Sequence, residues 1–289
     1  MKPAPFDYVA PTTVEDACQV LADAGGGATM LAGGQTLMPL LNLRMSQPFI
    51  LLDINKIEAL KGVSRAQGAT RVGPVTRQCE ALASAELAAA LPVLVEALSH
   101  VGHHQTRNRG TIGGSIALGE PAAEMPATAV ALGAVIEARS VRGTRQIPAR
   151  EFYLGPYMNV LEPDELVTAI DYPDWPQGHI TLFREVAQRP GDFALVGMVG
   201  ALALEGGKIA RAGIAWFGMG PTPIAAAQAE QALLGQSIDA IDPQAIAELA
   251  VADTAPFDDH HASAEYRRTV GRRIFARTLG EALNIRKAA

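Results

Sequence analysis

Cysteine is almost missing from this chain. Cys18 and Cys79 are the only two in 289 residues, and no Cys-x-x-Cys occurs. That excludes a disulfide framework, a zinc knuckle, and an iron–sulfur cluster held by four thiolates of this chain. Aromatic residues are scarce at 5%, so aliphatic side chains and alanine must pack the core, and a hydrophobic content of 48% supplies them. Positive charge is in deficit: 24 Lys and Arg against 30 Asp and Glu leave a formal charge of −6. Without a basic face, nucleic-acid binding is not expected. No apolar run reaches the roughly 20 residues of a membrane-spanning helix. The N-terminal MKPAPFDYVAP lacks the apolar stretch of a secretory signal, so a soluble, cytoplasmic protein is expected. Also lacking are GxGxxG, HExxH, GxSxG and a Walker A loop, since Ile209 follows Gly207-Lys208.

What is present divides into three stretches. Thr12 and Glu15 have capping-box spacing ahead of Val14, Ala17, Cys18, Leu21 and Ala22, a helical stripe that Gly25 to Gly27 ends. ATMLA (28–32) and FILLDI (49–54) are expected strands, separated by Gly33-Gly34-Gln35-Thr36 and a short helix. A second stretch begins near Lys56. It is expected to hold a short strand at 71–73, helices over 76–100 broken at Pro92, a loop at 103–127, and short strands over 128–172. After Pro173-Asp174-Trp175-Pro176, strands are expected at 180–187 and 193–204. A turn at 205–208 leads to a return strand at 209–218, and helices follow near 224–234, 243–253 and 262–284. Tyr266, Val270, Ile274, Phe275 and Leu283 mark one face of the last helix.

Two glycine-rich segments carry the chemistry. They are Ala32-Gly33-Gly34-Gln35-Thr36 and Thr111-Ile112-Gly113-Gly114-Ser115. Glycine lets backbone N–H groups approach an anion, and hydroxyls on Thr36, Thr111 and Ser115 add donors. Either segment alone is as well explained by a tight turn; together they suit a diphosphate gripped from two sides. Arg107 and Arg109 precede the second segment and suit either a phosphate or ordinary surface ion pairs. The adjacent pairs His103-His104 and His260-His261 make poor metal clamps, because neighbouring side chains on extended backbone diverge.

AGGQTLMPLLNLR (32–44), RNRGTIGGSIALGEPAAEMPA (107–127), FREVAQRPGDFALV (183–196) and ASAEYRR (262–268) resemble, in order and spacing, the medium subunit of molybdenum hydroxylases, the xanthine dehydrogenase and carbon monoxide dehydrogenase family. The resemblance implies an α+β fold. A two-subdomain FAD-binding domain of PCMH type would span 1–175, with subdomains of about 1–55 and 56–175. A domain of antiparallel sheet and helices would span 176–289. It implies non-covalent FAD lying extended between the subdomains. Met30, Leu31, Ala32, Gly33, Gly34, Gln35, Thr36 and Leu37 would face one side of the diphosphate, and Thr111, Ile112, Gly113, Gly114 and Ser115 the other. Glu124 stands at an acidic cofactor contact, Arg184 where a Lys is common near the flavin ring, and Asp192-Phe193 where Asp-Tyr is common. Val101, Leu166 and Val167 would line the site. Leu118 replaces a His, and Phe193 lacks the phenolic hydroxyl.

The implied partners are a small subunit with [2Fe–2S] clusters and a large molybdopterin subunit, assembled as a dimer of heterotrimers. The implied role is to pass electrons from the clusters to an external acceptor. The alternatives are a free-standing FAD-dependent oxidoreductase and a non-enzymatic nucleotide-binding module.

Overall fold

The computed structural model describes residues 2–66 and 68–288. The chain begins with β1 (Asp7–Val9), α1 (Val14–Ala24), β2 (Ala28–Leu31), α2 (Leu37–Asn42) and β3 (Ile50–Asp53), whose strands form a parallel sheet in the order β1-β3-β2. Val14, Ala17, Cys18 and Leu21 bury one stripe of α1, as their spacing requires. The helix starts one residue later than expected. Thr13, still extended, caps it by accepting from the Asp16 N–H at 3.1 Å, so the box drawn from Thr12 and Glu15 is displaced by one. The strand β2 is only half-buried, because it lies along a cleft.

The second unit contains β4 (Val63–Ala66), β5 (Ala69–Val72), α3 (Gln78–Ala83), α4 (Ala85–Ala90), α5 (Pro92–His100), α6 (His104–Arg109), α7 (Ile112–Leu118), α8 (Glu124–Leu132), β6 (Val135–Ser140), β7 (Gly143–Pro148), α9 (Ala149–Phe152), β8 (Tyr153–Gly155), β9 (Met158–Asn159) and β10 (Leu166–Pro173). Its antiparallel sheet runs β4-β5-β10-β6-β7. Pro92 begins α5 rather than merely interrupting a helix, since its missing N–H costs nothing in the first turn. The stretch 103–127, expected as a loop, instead contains α6, α7 and the start of α8. Thr111 caps α7 through its hydroxyl, and left-handed Gly119 and Gly133 close α7 and α8. Every residue of α8 is buried, so it has no polar face to give it a helical period in the sequence.

The third unit holds β11 (Ile180–Val186), β12 (Val196–Glu205), β13 (Lys208–Phe217), β14 (Ile224–Ala225), α10 (Ala227–Leu233), α11 (Pro243–Ala252) and α12 (Ala264–Ala288). The strands pair antiparallel in that order. Side chains alternate across the sheet. Met198, Leu202, Ile214 and Trp216 pack with the three helices, while Val199, Ala201, Ala215 and Phe217 join the core around α8. Gly213 permits the closest approach: a Cβ there would stand 2.0 Å from the Ala131 carbonyl oxygen of α8. On α12, Phe275 and Leu283 are buried and Val270 and Ile274 pack against the same core, but Tyr266 is 44% exposed and lies off that face. Among the described residues no helix is long and apolar enough to cross a membrane.

Candidate functional site

The first two units face each other across a cleft of about 690 Å³. The first glycine segment leaves β2 and forms one wall. The second, with α7, forms the opposite wall, residues 161–167 close one end, and Gly191 to Phe193 reach in from the third unit.

The two glycine segments interlock. A Cβ on Gly33 would stand 2.6 Å from the Arg109 carbonyl oxygen and 3.0 Å from the Thr111 nitrogen; one on Gly114 would meet the Ala32 Cβ at 3.7 Å. Gly34 has φ +70°, a conformation that L side chains rarely adopt. The segments nevertheless differ in what they offer. Among the described residues, no acceptor takes the N–H of Gly33, Gly34, Gln35 or Thr36. In the second segment Ile112 N–H donates to the Thr76 carbonyl, Gly113 to Pro74, Gly114 to the Thr111 hydroxyl and Ser115 to the Thr111 carbonyl. The run of free N–H groups therefore lies in the first segment; of the second, only the Thr111 N–H is without an acceptor among the described residues, and that segment otherwise offers hydroxyls and close backbone approach.

Gly113 has a different task. A Cβ there would stand 2.3 Å from the Pro74 Cβ, so this glycine lets α7 pack on the loop before α3. Glu124 opens α8 on the cleft wall and is only 6% exposed. Burial pushes its carboxyl up to about 8; the Glu185 charge adds to the rise and Arg107 opposes it. Burial also takes Glu185 up to about 7, and its Oε2 has no hydrogen-bond partner among the described residues. His100 Nδ1 lies 3.8 Å from that oxygen, and burial lowers the imidazole below its usual range. Glu124 thus favours its neutral form on the cleft wall.

Of the residues expected at the site, Met30, Ala32, Gly33, Gly34, Gln35, Thr36, Leu37, Val101, Thr111, Gly113, Gly114, Ser115, Glu124, Leu166, Val167, Asp192 and Phe193 line this one cleft. Leu31, Ile112 and Arg184 do not. Ile112 is wholly buried in the core, and Leu31 packs beside Gly34. Arg184 pairs with Glu281 of α12 at 2.7 Å and approaches the Thr278 hydroxyl at 3.4 Å, which holds its guanidinium on the last helix instead of at the cleft. Asp192 accepts from Arg189 at 3.0 Å. Phe193 is 65% exposed and lies at the cleft, the opposite of a core phenylalanine. Arg107 spends its guanidinium on the carbonyls of Val101 and Gly102.

Sequence reasoning missed several lining groups. Gln78 is buried with an unpartnered Oε1, and Thr29, Thr106, Glu120, Asn159 and Glu162 also border the cleft. Gln78 sits in an ordinary helical run, and only the position of Gly110 against it, 2.5 Å from Oε1 to a would-be Cβ, reveals its place.

These features fit FAD. A row of free N–H groups suits a diphosphate, and the cleft falls within the roughly 300–1,000 Å³ usual for small-molecule sites. Glu124, favouring its neutral form, spares an anionic cofactor a buried like charge.

Comparison with known proteins agrees. Residues 4–175 match the FAD binding domain in molybdopterin dehydrogenase, and residues 181–282 match the CO dehydrogenase flavoprotein C-terminal domain. The chain is 40% identical over 285 residues to the 6-hydroxypseudooxynicotine dehydrogenase complex subunit alpha of Paenarthrobacter nicotinovorans, covering 98% of this chain and 96% of that one. It is 33% identical to the carbon monoxide dehydrogenase medium chain of Hydrogenophaga pseudoflava, covering 98% of each. A solved structure of carbon monoxide dehydrogenase from Hydrogenophaga pseudoflava superposes with a TM-score of 0.93 at 35% identity, covering 98% of both chains. The free-standing alternative is not favoured, because the relatives are subunits of larger dehydrogenases. With both domain types present in order and relatives matched along nearly their whole length, the chain belongs to the FAD-binding medium subunits of the molybdenum hydroxylase family.

Proposed function

We propose that the cleft between the first two units holds FAD extended, with the diphosphate at Gly33 to Thr36. The chain is an oxidoreductase subunit whose FAD relays electrons within a multi-subunit enzyme. The observation that carries the cofactor assignment is the interlocked glycine pair, free N–H groups on one wall and hydroxyls on the other, in a single cleft. FAD supplies one- and two-electron chemistry when bound. The residues of this chain do the rest. The N–H groups of Gly33 to Thr36 would take up diphosphate charge, and Thr111 and Ser115 would add hydroxyl donors. Val101, Leu118 and Phe193 would keep water from the cofactor, and Glu124 would hold a proton on the cleft wall.

Electrons would arrive from the [2Fe–2S] clusters of a small subunit, reduced by a large molybdopterin subunit, and leave to an external acceptor. The assembly would be a dimer of heterotrimers in the cytoplasm. A split into residues 1–175 and 176–289 agrees with the two matched segments. Purification of the chain followed by acid precipitation tests the assignment. FAD is expected in the supernatant; flavin left in the pellet, or FMN in its place, would contradict it.

A further inference from the structure

Behind the two glycine segments lies a hydrogen-bonded chain whose bridging side chains, Asp53, Asn55 and Arg77, stand off the cleft lining. Asn55, two residues past β3, donates through Nδ2 to the Ala32 carbonyl at 2.9 Å and the Leu31 carbonyl at 3.3 Å, and is steadied by Asp53 Oδ1 at 2.6 Å. Its Oδ1 accepts from Arg77 Nη2 at 2.7 Å. The other Arg77 terminal nitrogen donates to the Arg109 carbonyl, the oxygen that Gly33 rests against. The Arg77 backbone bridges Thr111, with the Gln78 N–H on the Gly110 carbonyl at 2.9 Å and the Ile112 N–H on Thr76 at 3.1 Å. Among the described residues no carboxylate pairs with the Arg77 guanidinium. Its donors go to an amide oxygen and a backbone carbonyl on opposite sides of the cleft wall.

We propose that Asn55 and Arg77 are positioning residues for the cofactor. Their amide–guanidinium bridge runs from the carbonyls of Leu31 and Ala32 to that of Arg109 and fixes the separation of the two glycine segments. This rests on the assignment of the cleft to FAD. The geometry favours a clamp over general support for three reasons. The bridge ends on the peptides that carry the glycines. It joins the first unit to the second at that point. It also uses a planar, two-pronged donor that lysine cannot imitate. The guanidinium further leaves a positive charge, without a carboxylate partner, behind the wall assigned to an anionic diphosphate.

The test is a double-mutant cycle on the FAD affinity of the whole chain, with melting of the FAD-free protein measured alongside. Arg77→Ala and Asn55→Ala should each weaken FAD binding by about tenfold to a hundredfold, the range expected for loss of a hydrogen bond to a charged group. The double variant should be little worse than the weaker single, because both changes break one bridge. Arg77→Lys, milder to the fold, should shift the 31P resonances of bound FAD and recover only part of the affinity. Singles that bind FAD as tightly as the parent would overturn the inference. So would losses that simply add and follow the melting temperature of the FAD-free chain. A parent protein that binds no FAD would instead overturn the cleft assignment.

Discussion

Glu124 presents a group whose preferred charge has been reversed by its surroundings. An unfolded glutamate titrates near about 4.3, whereas burial takes this one up to about 8 and the neighbouring Glu185 up to about 7. Both folded values lie above the unfolded one. Their contribution to stability is therefore full below about pH 4.3 and is lost as pH rises through 7 and 8. The stability contributed by these two carboxyls should fall steadily between about pH 5 and pH 8, the larger part of it from Glu124. Glu124→Gln should flatten much of that slope in denaturant titrations across the range. A variant that keeps the parental slope would show that the Glu124 carboxyl is not held neutral.

Residue identity and residue role were unequally legible. The glycines and hydroxyls were legible only as a pair of segments, since either alone reads as a tight turn, and Glu124 only through the family resemblance. Arg184 could not be placed, because its partners Thr278 and Glu281 lie on a helix nearly a hundred residues away. Phe193 differs, because residue type alone argues against its place. Phenylalanine is normally buried, and only the fold shows this one standing open at the cleft.

Among elements, the glycine segments separate cofactor binding from folding. A Gly34→Val side chain would be strained by the positive φ, and its Cβ would crowd only flexible atoms of Leu31 and Met38, at 3.1 and 3.2 Å. In the FAD-free chain the loop relieves that strain by leaving the left-handed region, so the melting temperature should change little; restoring the conformation on binding would cost roughly 1–3 kcal/mol and lower FAD affinity at least about tenfold. Gly113→Ala should do the reverse, since its Cβ would collide with Pro74. Flavin content and melting temperature, measured on both, decide the matter; a Gly34→Val protein with full flavin occupancy would remove that segment from the site.

The elements themselves were readable wherever one face met water. The stripe of α1 is an example; β12, buried on both faces, shows instead as an unbroken apolar run. They were unreadable from α6 to α8, where short helices and a fully buried one leave no period. Strand β1, three residues long, gave no signal at all.

At the scale of the whole molecule, the shortage of cysteine returns as a dependence. Cys18 is buried on α1 and Cys79 lies on α3, so this chain has no set of thiolates for a cluster. Isolated, it should hold FAD and pass electrons slowly between artificial donors and acceptors, but oxidise no organic substrate of the complex. Adding the proposed iron–sulfur and molybdenum subunits should restore turnover. Substrate oxidation by the chain alone, with no iron or molybdenum detectable, would refute the relay.

The bare backbone of Gly213 against Ala131 carries one more consequence. The helix that brings Glu124 to the cleft lies directly on the sheet of the third unit, and Gly218 of that unit also donates to the Pro121 carbonyl at 2.8 Å. The boundary visible in the sequence is thus not a seam along which related proteins can be cut and rejoined. A hybrid taking its last hundred residues from a relative inherits a working cleft only if that relative leaves the same small gap beneath the helix.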